Sequence, residues 1–208
     1  MSQFRFLSLD GKDVAPEEWL HMWADLYPSQ DYAGYEELMA RHKSFSGADI
    51  ERIGKWKDSA KTEVKWKPNV ASVAYEIWMQ AASELPVCPN DERTADFLDD
   101  WSERKYEDRF GNRTVEKRFG LSRATTLLHF LSGGRFPIFD SRVRRAMTRL
   151  LGLQVPNTVR WYLDSYCPLL SEIAALCGTK DLRMVDKALF SYGGKKTGEP
   201  PTRVLSPS

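Results

Sequence analysis

With 208 residues, 42% hydrophobic and 12% aromatic, the chain can bury a full core, which excludes a disordered or disulfide-stapled class. Its three cysteines, Cys88, Cys167 and Cys177, are odd in number, widely spaced and without a C-x-x-C pair, which points to reduced thiols and leaves too few ligands for a structural zinc or an iron–sulfur cluster. Net charge is only +1, but residues 101–149 hold 12 Lys+Arg against 5 Asp+Glu, a cationic region suited either to a polyanion or to a solvated helical surface.

The start, MSQFRFLSLDGKD, lacks a basic flank followed by a long apolar core, and no run approaches the ~18 apolar residues of a membrane span. The expectation is a soluble, cytoplasmic protein that is not exported.

In chain order, FRFLSL before Asp10-Gly11 reads as a short strand and turn or as an ordered N-terminal arm. Pro16 suits a first helical turn, and Trp19, Leu20, Met22, Trp23 and Leu26 form the apolar face of a helix that ends at Pro28. A second helix is predicted from Asp31 through Tyr32, Tyr35, Leu38 and Met39. A third follows the Ser46-Gly47 break, with Ile50, Ile53 and Trp56 inward. Lys-Trp-Lys occurs at 55–57 and again at 65–67. Indoles between ammonium groups are able to stack on bases, whereas indoles at helical spacing are usually core with snorkelling lysines. The core reading is taken for Trp56, and Trp66 is left open.

Asn69 is expected to cap a helix carrying Val70, Val73, Ala74, Ile77, Trp78 and Ala81, ended by Pro86. Asn90 is expected to cap another, with Phe97, Leu98 and Trp101 inward. After Gly111-Asn112, TVEKRF reads as a short turn of helix before Gly120. A helix from Ser122 then buries Ala124, Leu127, Leu128 and Leu131 and stops at Gly133-Gly134. His129, near its apolar face, reads as a satisfied core histidine. An extended RFPIF leads to Asp140, which opens a helix burying Val143, Ala146, Met147 and Leu150, while Arg142, Arg145 and Arg149 recur on another face.

Asn157 opens a further helical region, split at Pro168 and ended by Gly178. Asp181 caps the last helix, which Gly193-Gly194 is expected to stop. The tail from 195 to 208 is polar and proline-rich and reads as disordered. The reading is therefore all-α, with one compact, two-lobed helical domain over 1–194.

Residues 118–151, RFGLSRATTLLHFLSGGRFPIFDSRVRRAMTRLL, resemble the core of the helix-hairpin-helix DNA glycosylases: a glycine hairpin, a helix, a loop with Gly and Pro, then an aspartate that begins a helix. Gly120 matches the hairpin's second glycine, Ala124 the small residue in the following helix, and Asp140 the essential aspartate. The resemblance implies a helix-hairpin-helix unit over about 113–151. Members usually carry a proline and two glycines in the hairpin, whereas Arg118 and Phe119 precede the single Gly120 here. The hairpin geometry, and any monovalent cation held by its carbonyls, is left open.

The implied chemistry is hydrolysis of an N-glycosidic bond in double-stranded DNA with a modified base flipped out of the stack. Positive charge builds on the sugar, and a fixed carboxylate stabilises it and orients water; Asp140 is the catalytic candidate. An aspartate before SRV is also a good N-cap, a role compatible with catalysis. Gly120, Ser122, Arg123, Arg142 and Arg145 are the DNA-binding candidates, the first three because unpaired N–H groups at a helix start donate to phosphate oxygens. Arg142 is equally readable as a solvated helix residue. Strand-cutting members use a lysine at the position of Ser122 to form a Schiff base, and the adjacent Arg123 cannot replace that amine. The resemblance thus implies a monofunctional enzyme, serving repair or defence against modified foreign DNA; a monomer without cofactor or metal is expected. The rival readings are a non-catalytic DNA-binding relative and a helical protein-interaction module.

Overall fold

The computed structural model describes residues 4–28, 32–58, 68–85, 89–110 and 113–194. Within them the chain is mostly helical, with one antiparallel sheet of two strands. Trp66, Pro86, Cys88 and the segment 195–208 lie outside the described residues. The chain gathers into two compact units, Met1–Tyr27 with Phe139–Ser208, and Pro28–Ile138.

In the first unit, the segment before Pro16 makes a tight turn at Gly11, whose φ is 84°. Ser8 N–H donates to Lys12 O at 2.8 Å and Val14 N–H to Phe6 O at 3.0 Å. Only Leu7 and Asp13 pair, as an isolated antiparallel bridge. Arg5 N–H bonds Leu150 O at 2.8 Å, so this segment is held to α7 (Ser141–Leu151). Helix α1 (Pro16–Ala24) starts on its proline, where the missing N–H has no intrahelical partner to lose, and buries Trp19, Leu20 and Trp23.

Pro168 does not split the helical region that contains it. Thr158, rather than Asn157, caps its start by accepting the Trp161 N–H at 3.2 Å. From there α8 (Val159–Trp161) runs through a π-helical stretch, Tyr162–Tyr166, into α9 (Cys167–Leu176). Cys167 N–H donates to Tyr162 O, five residues back. This wider turn relieves the clash that a proline ring makes with a preceding carbonyl in regular α-helix, so the helix continues.

Helix α10 (Leu182–Gly194) is the centre of this unit and packs on α1, α7 and α9. Asp181 Oδ1 caps it by accepting the Arg183 and Met184 N–H groups at 2.9 and 3.1 Å. Gly193 and Gly194, expected to stop the helix, are its final residues, and Gly193 has another reason to be glycine. A Cβ there would lie 1.8 Å from the Arg142 carbonyl oxygen, so the backbones of α7 and α10 touch at that point.

In the second unit, α6 (Leu121–Leu131) is central, with Ala124, Leu127, Leu128 and Phe130 fully buried. Around it lie α3 (Gly47–Asp58), α4 (Pro68–Glu84), α5 (Arg93–Glu103) and a 3-10 turn at His42–Ser44. Thr125 and Thr126 are buried with them because their hydroxyls bond back to Leu121 O and Ser122 O at 3.0 and 2.7 Å. His129 Nδ1 lies 2.6 Å from Phe136 O and Nε2 2.9 Å from the hydroxyl of Tyr35 in α2 (Tyr32–Ala40). A carbonyl only accepts, so Nδ1 carries the proton and Nε2 accepts from Tyr35. This is the satisfied core histidine expected. The Trp56 ring packs 5.1 Å from Phe130 and 5.8 Å from Tyr35, which fits the core reading.

Three local expectations on this unit are corrected. TVEKRF is a strand: β1 (Lys105–Phe110) pairs antiparallel with β2 (Arg113–Arg118), Tyr106 opposite Lys117 and Asp108 opposite Val115. Tyr106 and Asp108 are buried while Lys105 and Glu107 are exposed, the period of two that a half-buried strand requires. Asn69 does not cap α4, which begins at Pro68; its side-chain amide donates to Glu107 O at 2.6 Å and ties α4 to β1. Asn90 does not cap α5; Asp91 Oδ1 accepts the Arg93 N–H at 3.0 Å.

Gly193→Ala forces α7 and α10 apart and lowers stability by about 2 kcal/mol or more, read from urea unfolding. Asp49, buried at the start of α3, would be pushed up by burial, but the Ser46 N–H and hydroxyl at 2.8 and 2.7 Å, with Arg41 and Arg52, pull its pKa below the ordinary carboxylate value. A carboxylate depressed in the folded state stabilises above its unfolded pKa and loses that contribution as pH falls through the folded one. The wild type therefore loses stability on acidification below about pH 4 more steeply than Asp49→Asn does, measured by thermal melting.

Candidate functional site around Asp140

Asp140 stands at the junction of RFPIF and α7, with φ −111° and ψ −179°. Its Oδ1 accepts the Arg142 N–H at 2.9 Å and the Val143 N–H at 3.0 Å, and its carbonyl accepts the Arg144 N–H at 2.9 Å. The carboxylate is thereby fixed by donors that have no intrahelical acceptor, while the residue stays partly exposed. Its capping role is thus explicit in the geometry.

The residue before it, Phe139, is buried against the π-helical stretch. Its ring centroid lies 5.0 Å from Tyr166, 5.5 Å from Trp161 and 5.8 Å from Tyr162. Trp161 is the partly exposed member and stacks near-parallel on Tyr166 at 6.4 Å. Burial first, then the negative charges of Asp186 and Asp140, hold the Tyr166 phenol well above its ordinary pKa, so it keeps its proton at neutral pH. Asp186 is itself buried and paired with Arg183 in the first turn of α10. Trp161 and Asp186 carry no sequence signal of their own, and Tyr166 reads from sequence only as an apolar residue of the helical region after Asn157. The available signal was the i, i+4 spacing of Tyr162 and Tyr166, which an ordinary amphipathic helix also displays.

The arginine row of α7 faces α10. Arg142 lies over the Phe190 ring at 4.3 Å, Arg145 Nε donates to Gly193 O at 2.9 Å, and Arg149 Nη1 donates to Tyr192 O with its guanidinium 5.6 Å from the Tyr192 ring. The last carbonyls of a helix lack intrahelical donors and carry the negative end of its dipole. Arg145 and Arg149 satisfy two of them, so the candidates Arg142 and Arg145 have structural partners within the protein.

The other three candidates belong to the second unit. Gly120 precedes α6 with φ 83°, accessible chiefly to glycine. Its N–H donates to Ser102 O at 2.9 Å, and its carbonyl accepts from Arg123 and Ala124 N–H, each at 3.1 Å. Arg123 folds back: Nη1 bonds Phe119 O at 3.0 Å and the guanidinium lies 5.8 Å from the Tyr106 ring centroid. No side chain caps α6. The segment leading into Gly120 is β2, so a strand occupies the position of the first hairpin helix implied by the resemblance.

Neither a family model, nor a curated protein, nor a solved structure matches the chain. Among the described residues, no three His, Cys, Asp or Glu side chains come together as a metal site. No helix among them is long and apolar enough to cross a membrane.

The two described cysteines differ from any thiolate nucleophile. Burial raises the Cys167 thiol to about 12, against a small opposing hydrogen bond with Tyr162, and raises Cys177 to about 11. Cys177 Sγ also donates to Pro16 O at 3.2 Å. At pH 7.5 iodoacetamide should leave both unmodified in the folded protein and label both in urea, as read by peptide mass spectrometry. Because these thiols are held protonated, folding stability should fall as pH rises from about 9 towards 12.

Proposed function

We propose that the protein is a monofunctional DNA glycosylase that hydrolyses the N-glycosidic bond of a damaged or modified base in DNA. The observation that carries this reading is Asp140, whose carboxylate is fixed by two backbone N–H groups in a residue that stays partly exposed, directly after the buried Phe139, whose ring lies 5.5 Å from that of Trp161. Asp140 stabilises the positive charge that develops on the sugar as the C1′–N bond breaks. It also orients a water whose oxygen bonds to C1′ and accepts the proton that this water releases, while the departing base takes a proton from solvent, to which Asp140 later returns its own. Trp161 offers a π-face to the displaced base. Ser122 at the start of α6 supplies no amine for a Schiff base, so the abasic strand is left intact.

The rival reading is a helical DNA-binding or protein-interaction module in which Asp140 is a cap alone. It is favoured by one feature: Arg142, Arg145 and Arg149 engage α10, which gives the basic row a structural purpose without any polyanion.

Free-base release from damaged, alkylated, deaminated and phage-modified DNA, followed by mass spectrometry, tests the proposal. Wild type should release one base and yield strand breaks only after alkali. Asp140→Asn, which preserves a capping oxygen, should slow release by about 10²–10⁴-fold while binding DNA normally. Equal rates for the two proteins would remove Asp140 from the chemistry.

A further inference from the structure

Arg142 and Arg145 follow closely on Asp140 in sequence, but the helix geometry separates them from it. At about 100° per residue, Arg145 stands about 140° and Arg142 about 160° around α7 from Asp140, and both engage α10. Arg144 stands only about 40° from Asp140. It lies one turn along the same side, clear of the buried stripe of Val143, Ala146, Met147 and Leu150.

Arg144 differs from its neighbours in chemistry as well as direction. Its backbone N–H closes the first turn on Asp140 O at 2.9 Å. Its partly exposed guanidinium makes no hydrogen bond, ion pair or ring contact with any described residue. An aspartate followed four residues later by an arginine is a favourable helix pair, yet these two form none here.

We propose that Arg144 is the phosphate ligand of the Asp140 site, binding the DNA backbone next to the nucleotide whose base is released; this rests on the glycosylase reading. The geometry supports the assignment because a nucleotide with its anomeric carbon at Asp140 holds its flanking phosphates about a sugar's width away. That matches the roughly 5–6 Å between side chains one turn apart on a helix. A guanidinium also suits this task, since its planar fork pairs with two phosphate oxygens at once. Arg142, Arg145 and Arg149 instead hold α7 against α10 and so fix the direction in which Arg144 points.

The test is binding of a fluorescein-labelled duplex followed by anisotropy at several salt concentrations, with thermal melting of each variant. Arg144→Ala should melt like wild type, bind about tenfold more weakly, and lower the slope of log K against log salt by about one. Arg144→Lys should keep the slope, because the charge remains. Arg145→Ala should lower the melting temperature and leave the slope unchanged. If wild type binds in a salt-dependent way but Arg144→Ala matches it, or if Arg145→Ala loses the slope instead, the assignment fails and the glycosylase reading survives. If wild type shows no salt-dependent binding and releases no base, both fall together.

Discussion

The contact of α7 with α10 at Gly193 is the constraint on which the first unit depends. A helix backbone approaches another this closely only where a side chain is missing, and a Cβ at Gly193 would overlap the Arg142 carbonyl. Once the backbones meet, the side chains beyond the contact are within reach of α10. The guanidinium groups of Arg145 and Arg149 then reach the terminal carbonyls of α10, and Arg142 covers Phe190. One small residue thus turns a basic helix face into a set of C-terminal caps, with the charge opposed to the helix dipole.

The start of α7 inherits its order from the same packing. Asp140 is held by the N–H groups of a helix that is itself anchored at Gly193, and Phe139 is wedged against Tyr162 and Tyr166. Those tyrosines reach Phe139 from a π-helical turn that also accommodates Pro168. A carboxylate used in catalysis gains from such fixation, since a group already oriented needs little rearrangement as charge develops. The same fixation serves a cap, which is why chemistry must be judged by base release.

The second unit depends on a different device. Helix α6 is buried along most of its length although it contains two threonines and a histidine. Each polar group is closed locally: the threonine hydroxyls return to backbone carbonyls, and His129 spans from Tyr35 to Phe136 O. Unpaired, these groups would oppose burial by a few kcal/mol each. Paired, they fix the tautomer of His129 and the register of α2 against α6.

By itself the sequence determined most helices, because apolar spacing, prolines and caps such as Asp140 and Asp181 act within a few residues of one another. It also marked Asp140 as a conspicuous carboxylate at a helix start and His129 as a core residue. Tertiary structure alone decided the points that depend on distant partners. TVEKRF became a strand because Lys105–Phe110 pairs with it, and the period-two burial of Tyr106 and Asp108 was masked by charge in the linear pattern. Pro168 failed to break its helix because a π-turn absorbs it, and Gly193 proved to be a packing residue because α7 crosses there. The arginines after Asp140 look alike in sequence. Only packing against α10 divides them, engaging Arg142, Arg145 and Arg149 and leaving Arg144 on the side of the carboxylate, since local spacing fixes where a side chain points and tertiary contacts fix what it meets there.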